Sequence, residues 1–129
     1  TIIIETGGTK GNRKEILKEE LHESLKSCFK TKTIHSEYGM TELLSQSYSK
    51  GNGIFKSPPW KKVLIRDIND PLSFVDNNIT GGINIIDLSN IYSCPFIATQ
   101  DLGKKYNDDS FSIIGRYDNS DVRGCNLLV

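Results

Sequence analysis

The chain has 129 residues, of which 36% are hydrophobic, and this is enough apolar material for the core of one domain. Its 16 basic residues balance its 16 acidic ones, so no long-range field favours nucleic acid or an acidic membrane as a partner. No apolar run approaches the roughly 18–20 residues of a membrane-spanning helix. We therefore expect no nucleic-acid partner and no membrane span. The first residues lack the features of a secretory signal, and the start at Thr1 is interpreted as a cut within a longer protein.

Cysteine usage favours a reducing compartment. The chain has three cysteines, Cys28, Cys94 and Cys125, whose odd number and wide spacing fit neither a disulfide framework nor a C-x-x-C metal site. Cys28 lies on the apolar stripe of a predicted helix, and Cys94 lies in a strand-rich stretch, so both are predicted to pack in the core. The sequence therefore indicates a cytoplasmic protein without structural zinc.

The first third of the chain predicts a strand, a helix and a second strand. Glutamates occur only in this third and aspartates only after it, and Glu favours helices whereas Asp favours caps and turns. The β-branched run 2–4 predicts a buried strand that ends in a glycine turn. Asn12 can cap a helix whose apolar residues recur at helical spacing up to Phe29. A second strand over 31–37 completes a βαβ unit with a parallel pair of strands.

The remainder of the chain is typical of short strands joined by turns. Glycine, proline and asparagine clusters separate segments that are apolar or alternate between apolar and polar residues. These segments are Val63–Arg66, Gly82–Leu88, Phe96–Thr99 and Phe111–Gly115. Their spacing predicts a small antiparallel barrel or sandwich. The chain is therefore predicted to have an α+β fold, with a βαβ segment over 1–48 and a β-rich subdomain over 49–129.

The carboxyl ends of the two parallel strands define a first candidate site. Ligands of open α/β sheets bind beyond these ends, where Gly7-Gly8 and the Tyr38 segment would lie together. Tyr38 offers a flat face to a base or aromatic ligand, and Gly39 lets backbone approach it. Thr41 offers a hydroxyl, and Glu42 offers a carboxylate to a cation. The alternative is structural, because Thr41 can also cap a short turn in which Glu42 is favoured by the helix dipole.

Other polar residues have structural interpretations. His22 stands among charged helix residues and is predicted to be solvated, whereas His35 is predicted to pack in the second strand. Lys61 and Lys62 beside Trp60 are interpreted as a solvated edge, because the neutral overall charge disfavours a nucleic-acid contact. No serine lies in a nucleophile elbow, so hydrolase chemistry has no support.

Three short motifs, in this order, resemble those of the adenylate-forming enzymes, the acyl-CoA synthetase and ligase superfamily. Tyr38–Glu42 resembles the Y-G-x-T-E motif, Ala98–Gly103 the T-G-D segment, and Gly115–Asp118 the G-R-x-D segment. Within that superfamily the chain is most similar to the LuxE-type acyl-protein synthetases of bacterial luminescence systems. The segments that carry this likeness are 5–11, His35–Leu44, Pro58–Trp60, Ile65–Asp67, Gly82–Leu88 and Asp118–Leu128. The resemblance implies the C-terminal portion of the family's adenylating domain.

The resemblance implies ATP and Mg²⁺ as cofactors and assigns residues to them. Gly7, Gly8 and Tyr38 would border the adenine. Thr41 would contact the phosphate, and Glu42 would serve Mg²⁺. Thr41 and Glu42, together with Arg116 and the metal, would share the positioning and charge neutralisation that catalysis requires.

The two later motifs are implied to hold the sugar. Asp101 would bind the ribose hydroxyls, a task that suits an ionised acid accepting two hydrogen bonds. Arg116 would contact the ribose and phosphate region, where a rigid planar fork binds anions well. Asp118 matches the hinge position before the superfamily's lid domain. From the residues alone, without the order of the motifs, Asp101 is better explained as a turn aspartate before Gly103, and the alternative for Arg116 is a surface arginine at a strand end.

Cys125 is implied to be the acyl acceptor. In this family a cysteine near the C-terminus takes the acyl group from the acyl-adenylate as a thioester, and a thiolate suits that chemistry because nearby Arg116 or Arg123 could lower its pKa. The alternative is that Cys125 packs among the apolar residues 127–129 of a terminal strand.

The resemblance implies a ligase that activates a fatty or other carboxylic acid with ATP. The acyl group would pass through Cys125 to a partner protein such as a reductase or carrier. Transfer to coenzyme A, as in phenylacetate–CoA ligase-like relatives, is one alternative, and a non-catalytic binding module is another. We expect the family's phosphate-binding loop to lie before Thr1, and its lid, if present, after Val129. The isolated chain is therefore predicted to bind nucleotide weakly and not to adenylate.

Overall fold

The computed structural model describes residues 1–7 and 18–117, which form one α-helix and eight strands. The helix α1 is Lys18–Phe29, and a 3-10 turn covers Leu88–Asn90. The strands are β1 Ile4–Glu5, β2 His35–Tyr38, β3 Ser47–Ser49, β4 Ile54–Lys56, β5 Lys61–Arg66, β6 Thr80–Asp87, β7 Phe96–Lys105 and β8 Phe111–Arg116. The predicted α+β class is confirmed. Several residues named above lie outside the described ranges, among them Gly8, Asn12, Asp118, Arg123 and Cys125.

Helix α1 meets the first two strands through His22. Its first turn carries Glu19 and Glu20 and its last turn Lys26, an order that suits the helix dipole. The prediction that His22 is solvated is wrong, because only 7% of the residue is exposed. Its Nε2 lies 3.4 Å from the Ser36 hydroxyl, and these two polar groups satisfy each other between helix and sheet. No helix in residues 1–7 and 18–117 is both long and apolar enough to cross a bilayer.

The predicted parallel pair is present, but it is shorter and more exposed than the sequence suggests. Strand β1 pairs with β2 in parallel, with Ile4 opposite His35 and Glu5 opposite Ser36. Ile2 is 74% exposed and Ile4 44% exposed, so the prediction of a buried first strand is wrong for both residues. The reason is topological, since β1 is the edge of the sheet and has a neighbour on one side only.

All eight strands belong to one sheet with the order β1-β2-β3-β4-β8-β7-β6-β5. Every pair after β1–β2 is antiparallel. Strands β3 and β4 connect the N-terminal unit to the later strands, and the sequence did not predict them because each has only three residues. The turn between them uses Gly51 at φ +90°, where a side chain would also meet the Ile34 carbonyl oxygen at 2.9 Å.

The sheet curls so that strands far apart in its order come into contact. In a flat sheet β2 and β5 would be about 29 Å apart, at roughly 4.8 Å for each of the six steps between them. Instead, the Lys61 Nζ of β5 lies 5.5 Å from the centre of the Tyr38 ring of β2. This curvature agrees with the predicted barrel-like arrangement and draws β2 into it.

The concave side of the sheet holds the core. Phe111 is fully buried, its ring is stacked on that of Phe55 with centroids 5.6 Å apart, and Tyr38 meets both rings edge-on. The buried apolar residues of this cluster are Leu43, Phe55, Val63, Ile65, Ile83, Ile85 and Phe111. The core therefore packs directly beneath the Tyr38 ring.

Cys28 and Cys94 do not lie in this core. Both are exposed free thiols, so the prediction that they pack inside is wrong. Cys28 is near the end of α1, where Phe29 is also 59% exposed. The helix packs against the sheet around His22, and the apolar residues of its last turn are exposed to solvent. Cys94 lies in the loop before β7.

Candidate functional site

Three of the predicted site residues meet above the core although they lie far apart in the chain. The Tyr38 hydroxyl at the end of β2 donates a 2.6 Å hydrogen bond to the Asp101 Oδ2 of β7, across 63 residues of sequence. The Arg116 Nε of β8 lies 3.5 Å from the Asp101 Oδ1. Each oxygen of the Asp101 carboxylate therefore has its own neighbour.

The pairing of β7 with β8 explains why Asp101 and Arg116 are adjacent. The two residues are directly opposite each other in the antiparallel register. The Asp101 side chain is only 16% exposed, whereas that of Arg116 is 68% exposed and also reaches the Gln100 amide at 3.5 Å. A partly buried carboxylate beside a solvent-facing guanidinium offers hydroxyl recognition and anion recognition at one place.

Tyr38 is held as a neutral hydrogen-bond donor. Burial, followed by the hydrogen bond and the negative charge of Asp101, raises the pKa of the Tyr38 phenol far above its usual value. Its ring is fixed by Phe55 and Phe111 on the core side. The phenol therefore orients the Asp101 carboxylate and stays protonated across the physiological range.

Thr99 helps to fix the backbone at Asp101 by joining it to the neighbouring strand β6. The Thr99 hydroxyl accepts a 3.1 Å bond from the backbone N–H of Asp101 and donates a 2.9 Å bond to the Ile83 carbonyl. The Arg66 guanidinium donates to the Thr99 carbonyl at 2.6 Å. Both residues lie in segments that carry the sequence resemblance, but the sequence assigned neither a role of its own, because that role depends on the neighbouring strand β6 and is not visible in local spacing.

The other predicted residues lie on the loop after β2 and at the end of β1. Thr41 and Glu42 are the two central residues of a β-turn closed by the 3.0 Å bond from the Leu43 N–H to the Met40 carbonyl, and both are exposed. A Cβ atom at Gly39 would meet the Gln46 side chain at 2.9 Å. This β-turn begins at Met40, earlier than the Thr41-capped turn considered as the structural alternative, and it presents the Thr41 and Glu42 side chains to solvent.

Gly7 is on the same side of the sheet as this loop. It follows β1 with a φ of +125°, a conformation that favours glycine. Because β1 and β2 are parallel, Gly7 and the Tyr38 loop leave the sheet at the same edge, as the sequence predicts. The structure thus brings Tyr38, Asp101 and Arg116 into contact and places Gly7, Gly39, Thr41 and Glu42 on the segments that follow β1 and β2.

Solved structures share this fold. Apo MatB from Rhodopseudomonas palustris has a TM-score of 0.64 and 18% identity over 92% of this chain and 26% of its own. A benzoate CoA ligase from Burkholderia xenovorans LB400 has a TM-score of 0.58 and 19% identity over 93% and 26%, respectively. The O-succinylbenzoate coenzyme A synthetase MenE from Bacillus subtilis, in complex with AMP, has a TM-score of 0.53 and 19% identity over 75% and 24%.

The chain has the fold of a fragment of an adenylate-forming domain. It spans about a quarter of the length of these solved structures. No protein-family model and no curated protein sequence matches it. At these identities the likeness is one of fold.

A buried polar network lies beside the Thr41 loop. Asp87 at the end of β6 is fully buried, and its carboxylate accepts hydrogen bonds from the backbone N–H groups of Leu44, Ser45 and Ser89 and from the Ser45 hydroxyl. Burial would raise the pKa of Asp87, but these donors outweigh it and lower the pKa below its usual value. The sequence did not reveal this network, because Asp87 stands within an apolar strand pattern.

Lys61 completes the network from β5. Its Nζ donates a 3.0 Å hydrogen bond to the Ser45 carbonyl, and the residue is only 4% exposed. The interpretation of Lys61 as part of a solvated edge is therefore wrong, although its neighbour Lys62 is exposed. Strand alternation explains the difference, since successive side chains point to opposite faces. Burial lowers the pKa of Lys61 to about 8, against the opposing charge of Asp87.

This lowered pKa predicts a pH-dependent stability. Between about pH 8 and 10.5 the unfolded chain keeps the Lys61 proton while the folded chain loses it. Titration of Lys61 should therefore add a component to the free energy of unfolding that increases with pH over this range. We expect Lys61→Met to remove that component in urea titrations made at several pH values. The exposed neighbour is the matched control, and Lys62→Met should retain it. An unchanged pH profile in Lys61→Met would refute the assignment.

The residues present fit an adenine nucleotide. The Asp101 carboxylate can accept from sugar hydroxyls, and the Arg116 guanidinium beside it can donate to a phosphate. For Mg²⁺, residues 1–7 and 18–117 contain no group of three metal-binding side chains. The single carboxylate of Glu42 is nevertheless compatible with this ion, because Mg²⁺ is commonly held by one or two carboxylates together with substrate phosphates.

Proposed function

We propose that the protein containing these residues activates a carboxylic acid with ATP, as an AMP-forming ligase. The observation that carries the proposal is the meeting of Tyr38, Asp101 and Arg116, which come from β2, β7 and β8 and from three separate motifs. Nothing in the local sequence forces these residues together, and a fold shared with ligases, one of them solved with AMP, supports the same chemistry.

In this proposal each site residue binds a different part of the nucleotide. Asp101 binds the ribose hydroxyls, Arg116 reaches the ribose and the α-phosphate, and the exposed part of Tyr38 borders the base. Thr41 contacts the phosphate and Glu42 binds Mg²⁺, because the β-turn presents both side chains to solvent at the edge where the nucleotide would lie. Gly7 leaves room for that approach, because a Cβ atom there would meet nothing within 4 Å, whereas the space at Gly39 is filled by the Gln46 side chain. Gly8, Gly39 and Asp118 are assigned to the site by their motif positions.

The reaction joins the acid to the nucleotide by displacement at phosphorus. A carboxylate oxygen of the acid attacks the α-phosphorus, the bond to the β-phosphate oxygen breaks, and pyrophosphate leaves with the bonding electrons. No proton is needed in this step, so the protein's contribution is position and charge neutralisation. Arg116 supplies positive charge, and the Thr41 hydroxyl positions a phosphate oxygen by a hydrogen bond. Glu42 would hold Mg²⁺, which would supply further positive charge at the phosphates.

We further propose that the acyl group passes to Cys125 and then to a partner protein, with a fatty acid as the substrate class. The thiolate attacks the acyl carbonyl carbon, a carbon–sulfur bond forms, and AMP leaves with the oxygen. Support comes from the sequence resemblance to LuxE-type acyl-protein synthetases. The reducing compartment that the cysteine usage predicts would keep such a thiol free. Coenzyme A is the second candidate acceptor, because a benzoate CoA ligase and a coenzyme A synthetase share the fold.

One experiment tests both steps. The full-length protein is incubated with Mg-ATP and a panel of carboxylic acids, pyrophosphate release is followed, and the intact mass is measured before and after hydroxylamine. We expect acid-dependent pyrophosphate release and an acyl adduct that hydroxylamine removes. In Cys125→Ser the adduct should be lost while pyrophosphate release persists, and Cys94→Ser, which removes an exposed thiol, is the control.

The outcomes separate the candidates. Pyrophosphate release without an adduct, accompanied by acyl-CoA formation, would assign the acceptor as coenzyme A and Cys125 to a structural role. The absence of acid-dependent pyrophosphate release in the folded full-length protein would exclude the ligase.

A further inference from the structure

The loop that carries Thr41 and Glu42 is bound by side chains from remote parts of the chain. We call residues 39–46, between β2 and β3, the turn loop. Four of its backbone groups are hydrogen-bonded to the side chains of Lys61, Asp87 and Asn90, more than 15 residues away in sequence. A loop in solvent would satisfy these groups with water, so the side-chain partners restrain its conformation.

Asp87 is the centre of this restraint. Its Oδ2 accepts from the backbone N–H of Leu44 at 3.1 Å and from that of Ser45 at 2.8 Å. Its Oδ1 accepts from the Ser45 hydroxyl at 2.7 Å and from the Ser89 N–H at 3.1 Å. These four hydrogen bonds fix the orientation of the buried carboxylate. Only a side chain with two acceptor oxygens in these positions can satisfy all four donors.

Two more side chains bind the loop on either side of Asp87. The Asn90 amide donates to the Glu42 carbonyl at 2.8 Å and to the Cys94 carbonyl at 3.1 Å. The Lys61 ammonium donates to the Ser45 carbonyl at 3.0 Å. The backbone is therefore fixed at Glu42 itself and at the two residues Leu44 and Ser45 that follow the β-turn.

We propose that Asp87, assisted by Asn90 and Lys61, is a positioning residue that fixes the turn loop so that Thr41 and Glu42 face the nucleotide site. The catalytic consequence rests on the proposed function, whereas the restraint itself follows from the hydrogen bonds. Among the described residues, no hydrogen bond or ion pair joins Asp87 to Asp101 or Arg116, so its loss should impair the metal and phosphate end of the site and spare the sugar end.

The test uses Asp87→Asn in the full-length protein. An amide has one acceptor oxygen, so in either orientation its NH₂ group faces a backbone N–H that the carboxylate accepted. We expect amide hydrogen exchange to accelerate at least about tenfold at Leu44 and Ser45 if the NH₂ group takes the Oδ2 position, or at Ser89 if it takes the Oδ1 position, while exchange in β5 is unchanged. We also expect kcat to fall about tenfold and half-saturation by Mg²⁺ to rise about fivefold, with AMP affinity within about twofold of wild type.

Asp70→Asn is the matched control. Asp70 also accepts hydrogen bonds from a turn, at the Leu72 N–H and the Ser73 hydroxyl, but it is exposed and remote from the turn loop. Its substitution should leave exchange in the turn loop and the Mg²⁺ dependence unchanged.

The readouts distinguish this proposal from the proposed function. Unchanged exchange at Leu44, Ser45 and Ser89 together in Asp87→Asn, or equal losses of kcat and AMP affinity, would overturn the positioning role. An inactive wild-type protein would end the ligase proposal, while the exchange measurement would still decide the restraint. If Asp87→Asn does not fold, Asn90→Ala decides by the same readouts, with smaller changes expected at Glu42 and its neighbours.

Discussion

Asp101→Asn is expected to weaken binding of AMP to the full-length protein by about 100-fold. The substitution keeps the shape of the side chain and the Tyr38 neighbour but removes the charge that would accept from two ribose hydroxyls. Hydrogen bonds to a charged group contribute about 1.5–3 kcal/mol each, and a loss of about 3 kcal/mol corresponds to roughly two orders of magnitude in affinity. Calorimetric titration with AMP measures the effect directly.

Asp108→Asn provides the matched comparison. Asp108 lies on the turn between β7 and β8, accepts hydrogen bonds from Ser110 as Asp101 does from Tyr38, and is exposed. Its substitution should leave the AMP affinity unchanged. The AMP affinity of Tyr38→Phe should lie between those of Asp101→Asn and Asp108→Asn, because this substitution removes one hydrogen bond to Asp101 but leaves its carboxylate charged. Equal affinities for wild type and Asp101→Asn would show that this carboxylate does not bind the sugar.

Phe111→Ala is expected to lower the free energy of unfolding by about 3–5 kcal/mol. The residue is fully buried, its ring is stacked on Phe55, and its edge contacts support Tyr38, so truncation leaves a cavity directly beneath the site. A loss of this size is a large part of the stability of an ordinary domain. Urea denaturation followed by circular dichroism gives the value.

Phe96→Ala is the control that distinguishes the loss of a buried ring from the loss of any phenylalanine ring. Phe96 is in the adjacent strand β7 but is 69% exposed, so its removal should change the free energy of unfolding by less than about 1 kcal/mol. Phe111→Leu, which keeps most of the volume, should lose much less than Phe111→Ala and provides a folded variant if the alanine does not fold. Similar losses for Phe96→Ala and Phe111→Ala would contradict the described core.

The sequence predicted most of what is encoded locally. Helical spacing, β-branched runs and turn residues indicated α1, the parallel pair and the four long strands, because each is a pattern within a few residues. The order of three motifs identified Tyr38, Asp101 and Arg116 as members of one site. Their contact depends on the curl of the sheet and on the register of β7 with β8, which no local pattern specifies.

What the sequence did not predict is the burial of polar residues. Lys61 and His22 looked solvated, because lysine and histidine among charged residues are usually exposed. Their partners, the Ser45 carbonyl and the Ser36 hydroxyl, are supplied by remote segments and could not be read from spacing. The same reason hid the role of Asp87, whereas β3 and β4 were missed because three residues are too few to show alternation.

The bond between Tyr38 and Asp101 has a consequence for folding kinetics. It joins residues 63 positions apart, and it can form only after β3, β4 and β8 have assembled between their strands. Contacts of such high sequence separation require the closure of long loops and are gained late. The contact between Tyr38 and Asp101 is therefore expected among the last to form, and if the proposed nucleotide site is correct, a nascent chain should acquire affinity for AMP only after β8 has joined the sheet.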